Sequence, residues 1–156
     1  MHESPEPILR PVTVSDLDLA YRIKKAAFKH HVDQVWGWDE DYQQQRHAQD
    51  FRPSTTRIIT YLGTDVGWFD LRKHWRGLFL AAIYILPEYQ CKGIGSSILQ
   101  QLLLEARTKK VPLALGVLKV NTRARKLYEK FGFQVESETD THYMMKASPH
   151  STTSKP

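Results

Sequence analysis

The amino-acid sequence predicts one α/β (α+β) domain with a mixed, mostly antiparallel central sheet of six to seven strands flanked by about four helices. Two pairs of short apolar runs, at residues 57–71 and 133–145, are each divided by a turn, as in antiparallel hairpins. Residues 78–118 between them follow the pattern strand, amphipathic helix, strand, which is typical of a parallel β-α-β unit. The chain of 156 residues, 41% of them hydrophobic, can bury a core without disulfides or a metal.

The composition excludes several other classes of protein. A single cysteine, Cys91, rules out an internal disulfide, and the seven histidines show no metal-ligand spacing, so we expect no metal site. Residues 1–7 are polar and proline-rich, unlike a signal peptide, and no apolar run reaches the roughly 18 residues of a membrane span. We therefore expect a cytoplasmic protein without a membrane partner. The net charge of +5 favours anionic partners, for which a phosphorylated cofactor would suffice, but it is too modest and too dispersed to indicate nucleic acid by itself.

The N-terminal third predicts a strand and two helices. Residues 8–13 alternate apolar and polar side chains, as a strand does. Ser15 and Asp18 form a pair resembling a capping box, and apolar residues then recur at helical spacing, so a helix should begin there. A second helix is predicted over residues 39–50, within a stretch rich in aromatic, acidic and Gln residues.

The centre of the chain predicts three strands. Residues 57–62 and 66–71 flank the turn Gly63-Thr64-Asp65 and should form a hairpin. Residues 78–86 are almost continuously apolar up to Pro87, which indicates a strand buried on both faces.

The C-terminal half predicts two helices and three strands. Apolar side chains recur at helical spacing over residues 96–109, and residues 112–118 form an apolar strand. Residues 121–131 predict a short helix with Gly132 at its C-terminal cap. Residues 133–145 predict the last hairpin.

The most informative segment for function lies between the buried strand and the helix that follows it. A helix start offers unpaired N–H groups and a positive dipole end, and glycines let phosphate oxygens approach the backbone closely. The segment lacks the Gly-Lys-Ser/Thr ending of nucleoside triphosphate loops, and Ile98 replaces the third glycine of a dinucleotide fingerprint. A pyrophosphate site is therefore predicted at Gln90, Cys91, Lys92, Gly93, Ile94, Gly95 and Ser96, although Lys92 fits an ordinary solvated loop lysine equally well.

Two segments together resemble a known family. Residues 83–95, IYILPEYQCKGIG, resemble the acetyl-CoA loop of the Gcn5-related N-acetyltransferase (GNAT) family, Gln/Arg-x-x-Gly-x-Gly/Ala after a strand and a proline-containing turn. Residues 121–133, NTRARKLYEKFGF, resemble the signature that follows this loop in the family. The order of elements also fits the family's mixed sheet. The resemblance implies one GNAT domain over residues 1–146, followed by a Ser-, Thr- and Pro-rich tail, residues 147–156, that we expect to be disordered.

The resemblance implies an enzyme that moves an acetyl group from acetyl-CoA to a primary amine by direct attack in a ternary complex. Backbone groups of Ile83 and Ile85 would bind pantetheine in a wedge between their strand and residues 115–117. The cofactor contacts would be completed by Asn121 on the pantetheine arm, Arg125 on the phosphates and Tyr128 on the thioester sulfur. A packed core for the isoleucines and Tyr128, and a charged helix face for Arg125, are the alternatives.

The same resemblance places the acceptor against the first two helices and the last hairpin. Aromatic walls with nearby carboxylates suit a cationic amine, so the candidate acceptor-side residues are Trp36, Trp38, Glu40, His142 and Tyr143. The tryptophans fit a core-capping role equally well. The general base stays open between Glu40, Asp70, His142 and a water relay.

Several functional alternatives remain open at this point. We expect a small-molecule amine as acceptor, because nothing in the sequence marks an extended peptide groove, with a protein or peptide N-acetyltransferase as the alternative. A non-catalytic acetyl-CoA-binding module is disfavoured by the presence of Asn121 and Tyr128. The even mixture of acids and bases disfavours a nucleic-acid-binding protein, and the choice between monomer and homodimer is open. Cys91 replaces the glycine that the family often has at this loop position, which raises the hypothesis of thiol modification beside the phosphate site, against an inert loop cysteine.

Overall fold

The structure is a computed structural model that describes residues 5–150 of the chain. Within these residues seven strands form one sheet in the order β1-β2-β3-β4-β5-β7-β6. The strands are β1 (Ile8–Pro11), β2 (Thr56–Tyr61), β3 (Thr64–His74), β4 (Gly77–Ile85), β5 (Leu113–Leu118), β6 (Gln134–Glu138) and β7 (His142–Ala147). The α-helices are α1 (Leu17–Val35), α2 (Glu40–Asp50), α3 (Ile94–Lys109) and α4 (Thr122–Lys130). The predicted sheet of six to seven strands with about four helices is confirmed.

Pairing in the sheet is antiparallel except where the chain crosses over through α3. The pairs β1–β2, β2–β3, β5–β7 and β6–β7 are antiparallel, whereas β4 and β5 run parallel. A parallel pair needs a crossover connection, and the amphipathic α3 supplies it. The predicted β-α-β unit is therefore confirmed within an otherwise antiparallel sheet.

The start of α1 differs from the prediction. A 3-10 turn, Val14–Asp16, precedes α1, and its capping pair is Thr13 and Asp16, with the Thr13 N–H donating to Asp16 Oδ2 at 2.8 Å. The N-cap of α1 itself is Asp16, not Ser15 as predicted. Asp16 is buried, and both of its carboxylate oxygens accept hydrogen bonds from the Arg10 guanidinium, at 2.9 and 3.0 Å. This guanidinium holds the pKa of Asp16 well below its usual range. A contact with β1 thus holds the residue that immediately precedes α1, and the sequence around Ser15 does not reveal it.

The hairpin between β2 and β3 turns one residue earlier than predicted. Leu62 and Gly63 both have positive φ, at 51° and 82°, and Tyr61 pairs directly with Thr64. Positive φ at both central residues is the geometry whose twist matches a two-residue hairpin. Thr64 and Asp65, predicted as turn residues, consequently belong to β3.

The chain groups into two compact units, which we describe separately. The first contains the chain up to Asp70 together with Ala82–Ser97, and its buried cluster is Ala20, Ile23, Ile58 and Trp68. The second contains Leu71–Ala81 and the chain from Ile98 onward, and its buried residues include the apolar face of α3. The organisation as a single domain stays a prediction.

The C-terminal end of the described chain is the strand β7. This strand includes Ala147, which is 2% exposed, although the sequence assigned that residue to the tail. Three further residues of the predicted disordered tail, 148–150, follow β7. The remaining tail residues, 151–156, lie outside the described range. Across residues 5–150, the longest helices are too short or too polar to pass through a membrane.

Candidate functional site

The loop predicted to bind pyrophosphate connects β4 to α3. After β4 the chain makes a 3-10 turn, Pro87–Tyr89, whose N-terminal proline suits that position. The Gln90 side-chain amide then donates to the Ile85 carbonyl at 2.8 Å. This bond holds the start of the loop against the end of β4. Gln90, which was predicted only as a cofactor-binding residue, therefore also has a structural role.

Two residues of this loop have a left-handed backbone. Gly93 has φ 83°, and no atom lies within 4 Å of the position that its Cβ would occupy. The glycine is therefore required by its conformation and leaves open space beside the backbone. Cys91 has φ 61°, a conformation that costs an ordinary residue about 1–2 kcal/mol, which explains why glycine suits this position. Its thiol is free and the residue is exposed.

The first turn of α3 presents N–H groups ahead of the helix. The earliest helical hydrogen bond in this turn runs from the Ser97 N–H to the Gly93 carbonyl, at 3.0 Å. The N–H groups of Ile94, Gly95 and Ser96 precede it, and a helix start leaves such groups without helical partners. The Glu6 carboxylate accepts a hydrogen bond from Ser97 Oγ in the same turn, at 2.8 Å. The predicted residues 90–96 thus form a helix N-terminus whose chemistry suits phosphate.

The end of β4 is shaped by a close approach to β3. A Cβ added to Gly67 would lie 2.4 Å from the Tyr84 carbonyl oxygen, so only glycine fits opposite this part of β4. The Leu86 N–H donates to the Val66 carbonyl at 2.8 Å and fixes the strand end. Ile83 and Ile85 are half-buried on either side of Tyr84. The observed parallel pairs of β4 with β5 are Leu78–Leu80 with Leu113–Leu115; the predicted pantetheine wedge stays a prediction.

Asn121 caps the helix α4. Its side-chain oxygen accepts a hydrogen bond from the Ala124 N–H at 3.2 Å, which is the usual role of an N-cap asparagine. The helix ends as predicted: Gly132 has φ 94°, and the Phe133 N–H donates to the Tyr128 carbonyl at 3.1 Å. Helix capping alone would account for an asparagine at position 121. The amide N–H₂ group of Asn121, however, makes no hydrogen bond within residues 5–150.

Substituting Asn121 separates its two roles. Asn121→Ser keeps an N-cap acceptor without the amide donor, whereas Asn121→Ala removes both. We expect both variants to bind coenzyme A about tenfold more weakly if the amide contacts pantetheine, because each loses one hydrogen bond to the ligand. Only Asn121→Ala should lower the free energy of unfolding, by about 1 kcal/mol. Calorimetric titration with coenzyme A and chemical denaturation measure the two effects, and unchanged affinity in Asn121→Ser would leave capping as its whole role.

Tyr128 lies in the second unit, with a buried ring and a hydroxyl group that makes no hydrogen bond to the described residues. The residue is 8% exposed, and its ring centroid lies 5.7 Å from that of Phe133. Within residues 5–150 its hydroxyl takes part in no hydrogen bond. Burial raises the pKa of Tyr128 to about 12. The phenol therefore stays protonated throughout the physiological pH range, which suits a hydrogen-bond donor.

The structure brings together two residues that the sequence analysis assigned to different parts of the site. The Arg125 guanidinium lies 4.3 Å from the ring centroid of Tyr143 on β7. The buried Nε of Arg125 makes no hydrogen bond, since its ion-pair partner Glu129 is 3.6 Å away. Lys119 Nζ lies 5.2 Å from the same ring. Arg125 and Tyr143 thus belong to one aromatic and cationic cluster of the second unit.

His142 precedes Tyr143 on β7 and is half-buried. Its Nδ1 lies 2.8 Å from Thr141 Oγ1, and its backbone N–H donates to Thr139 Oγ1 at 3.0 Å. Burial lowers the pKa of His142 from its ordinary value, so the imidazole is neutral at physiological pH. A neutral imidazole can accept a proton, so His142 has the right chemistry for a base.

Glu40 lies where α2 meets α1, and its carboxylate is surrounded by donors. Lys25 and Tyr21 donate to it from α1, and the Trp38 indole N–H donates at 3.3 Å. These partners, with Lys25 first, lower the pKa of Glu40 to about 2. A carboxylate with so low a pKa is a weak base, and its bonds fit a structural role at the helix junction. Trp36, by contrast, is 61% exposed.

Asp70, another candidate base, lies on β3 and is 3% exposed. Thr55 Oγ1 donates to its carboxylate at 2.5 Å. Because the Asp70 carboxylate is buried and hydrogen-bonded, its environment suits a structural role in the first unit. Within residues 5–150 no group of three or more His, Cys, Asp or Glu side chains could hold a metal ion.

An aromatic group beside the helix junction was missed in the sequence. His47 on α2 is 4% exposed, donates from its Nε2 to the Leu17 carbonyl at 3.1 Å, and packs on Tyr21, Phe51 and Trp68. The Trp68 indole N–H donates to the Ala20 carbonyl at 2.9 Å, and its ring meets Tyr84 edge-on. Because the buried residue of α2 is the polar His47, a search for apolar periodicity cannot find the face of this helix that packs inward.

Comparison with known proteins agrees with this geometry. Residues 18–133 match the family model described as Acetyltransferase (GNAT) family. A mycothiol acetyltransferase of Propionibacterium freudenreichii subsp. shermanii is 32% identical over 140 residues, 82% of this chain; the chain spans only 43% of that relative's length.

Solved structures share the fold. A PaiA N-acetyltransferase from Thermoplasma acidophilum, solved in complex with coenzyme A, superposes with a TM-score of 0.76 at 18% identity, covering 92% of this chain and 99% of that one. A ribosomal-protein alanine N-acetyltransferase from Escherichia coli superposes with a TM-score of 0.71 at 22% identity, covering 96% of each chain.

Proposed function

Because the chain belongs to the acetyltransferase (GNAT) family, we propose that it transfers an acetyl group from acetyl-CoA to a primary amine. The observation that carries this proposal is the start of α3, where three N–H groups and the open space beside Gly93 follow a strand end fixed by Gln90. This arrangement suits a pyrophosphate. When bound, acetyl-CoA supplies an activated acetyl thioester, and the remaining steps depend on residues of this chain.

The proposed cofactor contacts divide into backbone and side-chain groups. The N–H groups of residues 94–96 hold phosphate oxygens, and the exposed Lys92 adds positive charge beside them. Backbone groups of Ile83 and Ile85 hold pantetheine, and the Asn121 amide donates to the same arm. We assign Arg125 to the phosphates, with its guanidinium held in place by the Tyr143 ring. Cys91 contributes its backbone to the loop, with no role for its thiol.

Tyr128 is the proposed acid of the reaction. Its hydroxyl donates to the thioester sulfur as negative charge develops there. A pKa of about 12 lies above the roughly 8.5 of a thiol in water, so full proton transfer is uphill unless the thiolate is also desolvated. Hydrogen bonding to the leaving sulfur is therefore the main contribution we expect from Tyr128.

The acceptor must lose a proton before it attacks, because an ammonium has no lone pair. Of the candidate side chains, His142 combines a neutral imidazole with a position on β7 beside Tyr143, whereas the carboxylate of Glu40 is a weak base. We propose His142, or a water relayed through it, as the base. Trp38 then has a place in the wall of the acceptor region, next to Tyr21 at a ring-centroid distance of 6.4 Å.

We propose a small-molecule amine as the acceptor. The 32%-identical relative is named for mycothiol, whereas the Escherichia coli structure, at 22% identity, is named for a protein alanine. The similarity to the Escherichia coli structure concerns the fold alone, so the preference for a small-molecule acceptor rests on the mycothiol acetyltransferase. An amine of a protein or peptide is the second candidate.

Release of free thiol from acetyl-CoA in the presence of single amines tests this function. The panel should contain diamines, amino sugars, amino-acid amides and short peptides with free N-termini. We expect at least one low-molecular-weight amine to accelerate thiol release and to gain an acetyl group by mass spectrometry. If only peptides accelerate thiol release, the acceptor is a protein or peptide amine and not a small molecule. Coenzyme A binding without any transfer would indicate a non-catalytic module.

A further inference from the structure

Two short segments of the second unit carry a strong local excess of positive charge. Residues 72–77 and 105–112 contain six Lys and Arg and one acid, Glu105, a net charge of +5. The whole chain also has a net charge of +5, from 22 basic and 17 acidic residues. The other 16 basic residues are therefore equal in number to the remaining 16 acidic ones, so these two short segments have a local excess as large as that of the whole chain.

The two segments lie side by side within the second unit. Lys73 Nζ is 3.1 Å from Glu105 on α3, and Lys109 Nζ is 2.8 Å from the same carboxylate. The Leu78 N–H donates to the Pro112 carbonyl at 2.9 Å, which fixes the base of the β3–β4 turn to the loop after α3. We name as the basic turn surface the exposed residues Lys73, His74, Trp75, Arg76, Lys109 and Lys110.

An exposed indole stands at the centre of this surface. Trp75 is 84% exposed, the largest exposed fraction of any aromatic side chain recorded among residues 5–150. The Arg76 guanidinium lies 4.5 Å from its ring centroid, so a cation already covers one face. The Arg76 N–H donates to His74 Nδ1 at 3.2 Å and holds the turn. Within the described chain no aromatic ring packs on the indole, so its other face is available.

We propose that the basic turn surface binds single-stranded nucleic acid, with phosphates on its Lys and Arg side chains and one base stacked on Trp75. Proteins that bind single strands combine cations along the backbone with aromatic side chains that stack on bases. This surface offers both at the same place, although the sequence analysis judged the charge to be dispersed.

Two other anionic partners fit the surface less well. An anionic membrane would draw the indole into the headgroup boundary, and the guanidinium stacked on Trp75 would have to follow it or be displaced. An acidic peptide offers negative charge, but it does not always carry an aromatic ring that could stack on the exposed face of Trp75. A nucleic acid supplies regularly spaced phosphates and a flat base together.

Fluorescence anisotropy of a labelled 12-nucleotide oligouridine, titrated with the full chain at several KCl concentrations, tests the proposal. We expect a dissociation constant of about 10⁻⁴ to 10⁻⁶ M near physiological salt, weakening steeply as salt rises. Trp75→Ala should weaken binding about tenfold, since it removes one stacked base. Lys109→Gln and Lys110→Gln should each reduce the salt slope by about 0.7.

The matched control is Arg52→Gln, which removes the same charge from an exposed position outside the surface and should leave the slope unchanged. Coenzyme A should shift the melting temperature of Trp75→Ala as much as that of the unmodified protein, which confirms that the variant is folded. The proposal is overturned if oligouridine does not bind, if Trp75→Ala binds it equally well, or if phosphatidylserine vesicles or polyglutamate bind more tightly than oligouridine.

Discussion

Replacing Tyr128 by Phe is expected to slow acetyl transfer by about two to three orders of magnitude while leaving coenzyme A binding unchanged. The variant keeps the buried ring that packs against Phe133 and removes only a hydroxyl that makes no hydrogen bond within residues 5–150. Removing this hydroxyl breaks no protein contact, so the free energy of unfolding should change little. The loss should fall on the chemical step, where the phenol would donate to the leaving sulfur.

Single-turnover rates over a range of pH, together with calorimetric titration with coenzyme A, separate these effects. Tyr61→Phe is a matched control, since it removes a hydroxyl from a half-buried tyrosine of β2. Because the pKa of Tyr128 is about 12, the unmodified protein should show no loss of rate from its ionisation below about pH 11. Equal rates for Tyr128→Phe and the unmodified protein at every pH would remove this residue from the mechanism.

Gly67→Ala is expected to destabilise the protein by about 3 kcal/mol, because its methyl group would lie 2.4 Å from the Tyr84 carbonyl oxygen. The obstacle is a backbone atom of β4, so relief requires a shift of the strand. For a domain of this size the melting temperature should fall by about 6–12 °C. Tyr84 lies between Ile83 and Ile85, so displacement of β4 should also weaken coenzyme A binding.

Gly116→Ala is the matched control for this substitution. Gly116 is also a strand glycine without positive φ, but its added Cβ would meet the flexible Met144 side chain, at 3.1 Å from the sulfur. Methionine adapts its rotamer readily, so we expect a change in melting temperature of only a few degrees. Equal melting temperatures for Gly67→Ala and Gly116→Ala would show that β3 and β4 have more freedom than the structure indicates.

Elements whose signals are local were predictable from the sequence. The α3 helix carries apolar residues at regular helical spacing, and Gly132 provides the left-handed residue that ends α4. The loop at residues 90–96 was recognisable because glycines and a helix start within a few residues define its chemistry. Each of these features depends on neighbours along the chain.

Features that depend on distant residues were not predictable. The N-cap residue of α1, Asp16, is held by Arg10, which also binds Asp65, 55 residues away. The low pKa of Glu40 depends on Lys25 and Tyr21 of another helix, which the sequence does not place beside it. The basic turn surface combines segments about thirty residues apart, so its charge appears dispersed until the strands pair.

Thermal melting with acetyl-CoA, coenzyme A and ATP in parallel is the most direct test of the central claim that the loop at residues 90–96 belongs to an acetyl-CoA site. A ligand at about 100 times its dissociation constant adds roughly 2.7 kcal/mol of stability. For a protein of this size that corresponds to a rise of about 5–10 °C. We predict this rise with acetyl-CoA and with coenzyme A but not with ATP. The absence of a shift with either coenzyme A species would contradict the assignment of the site.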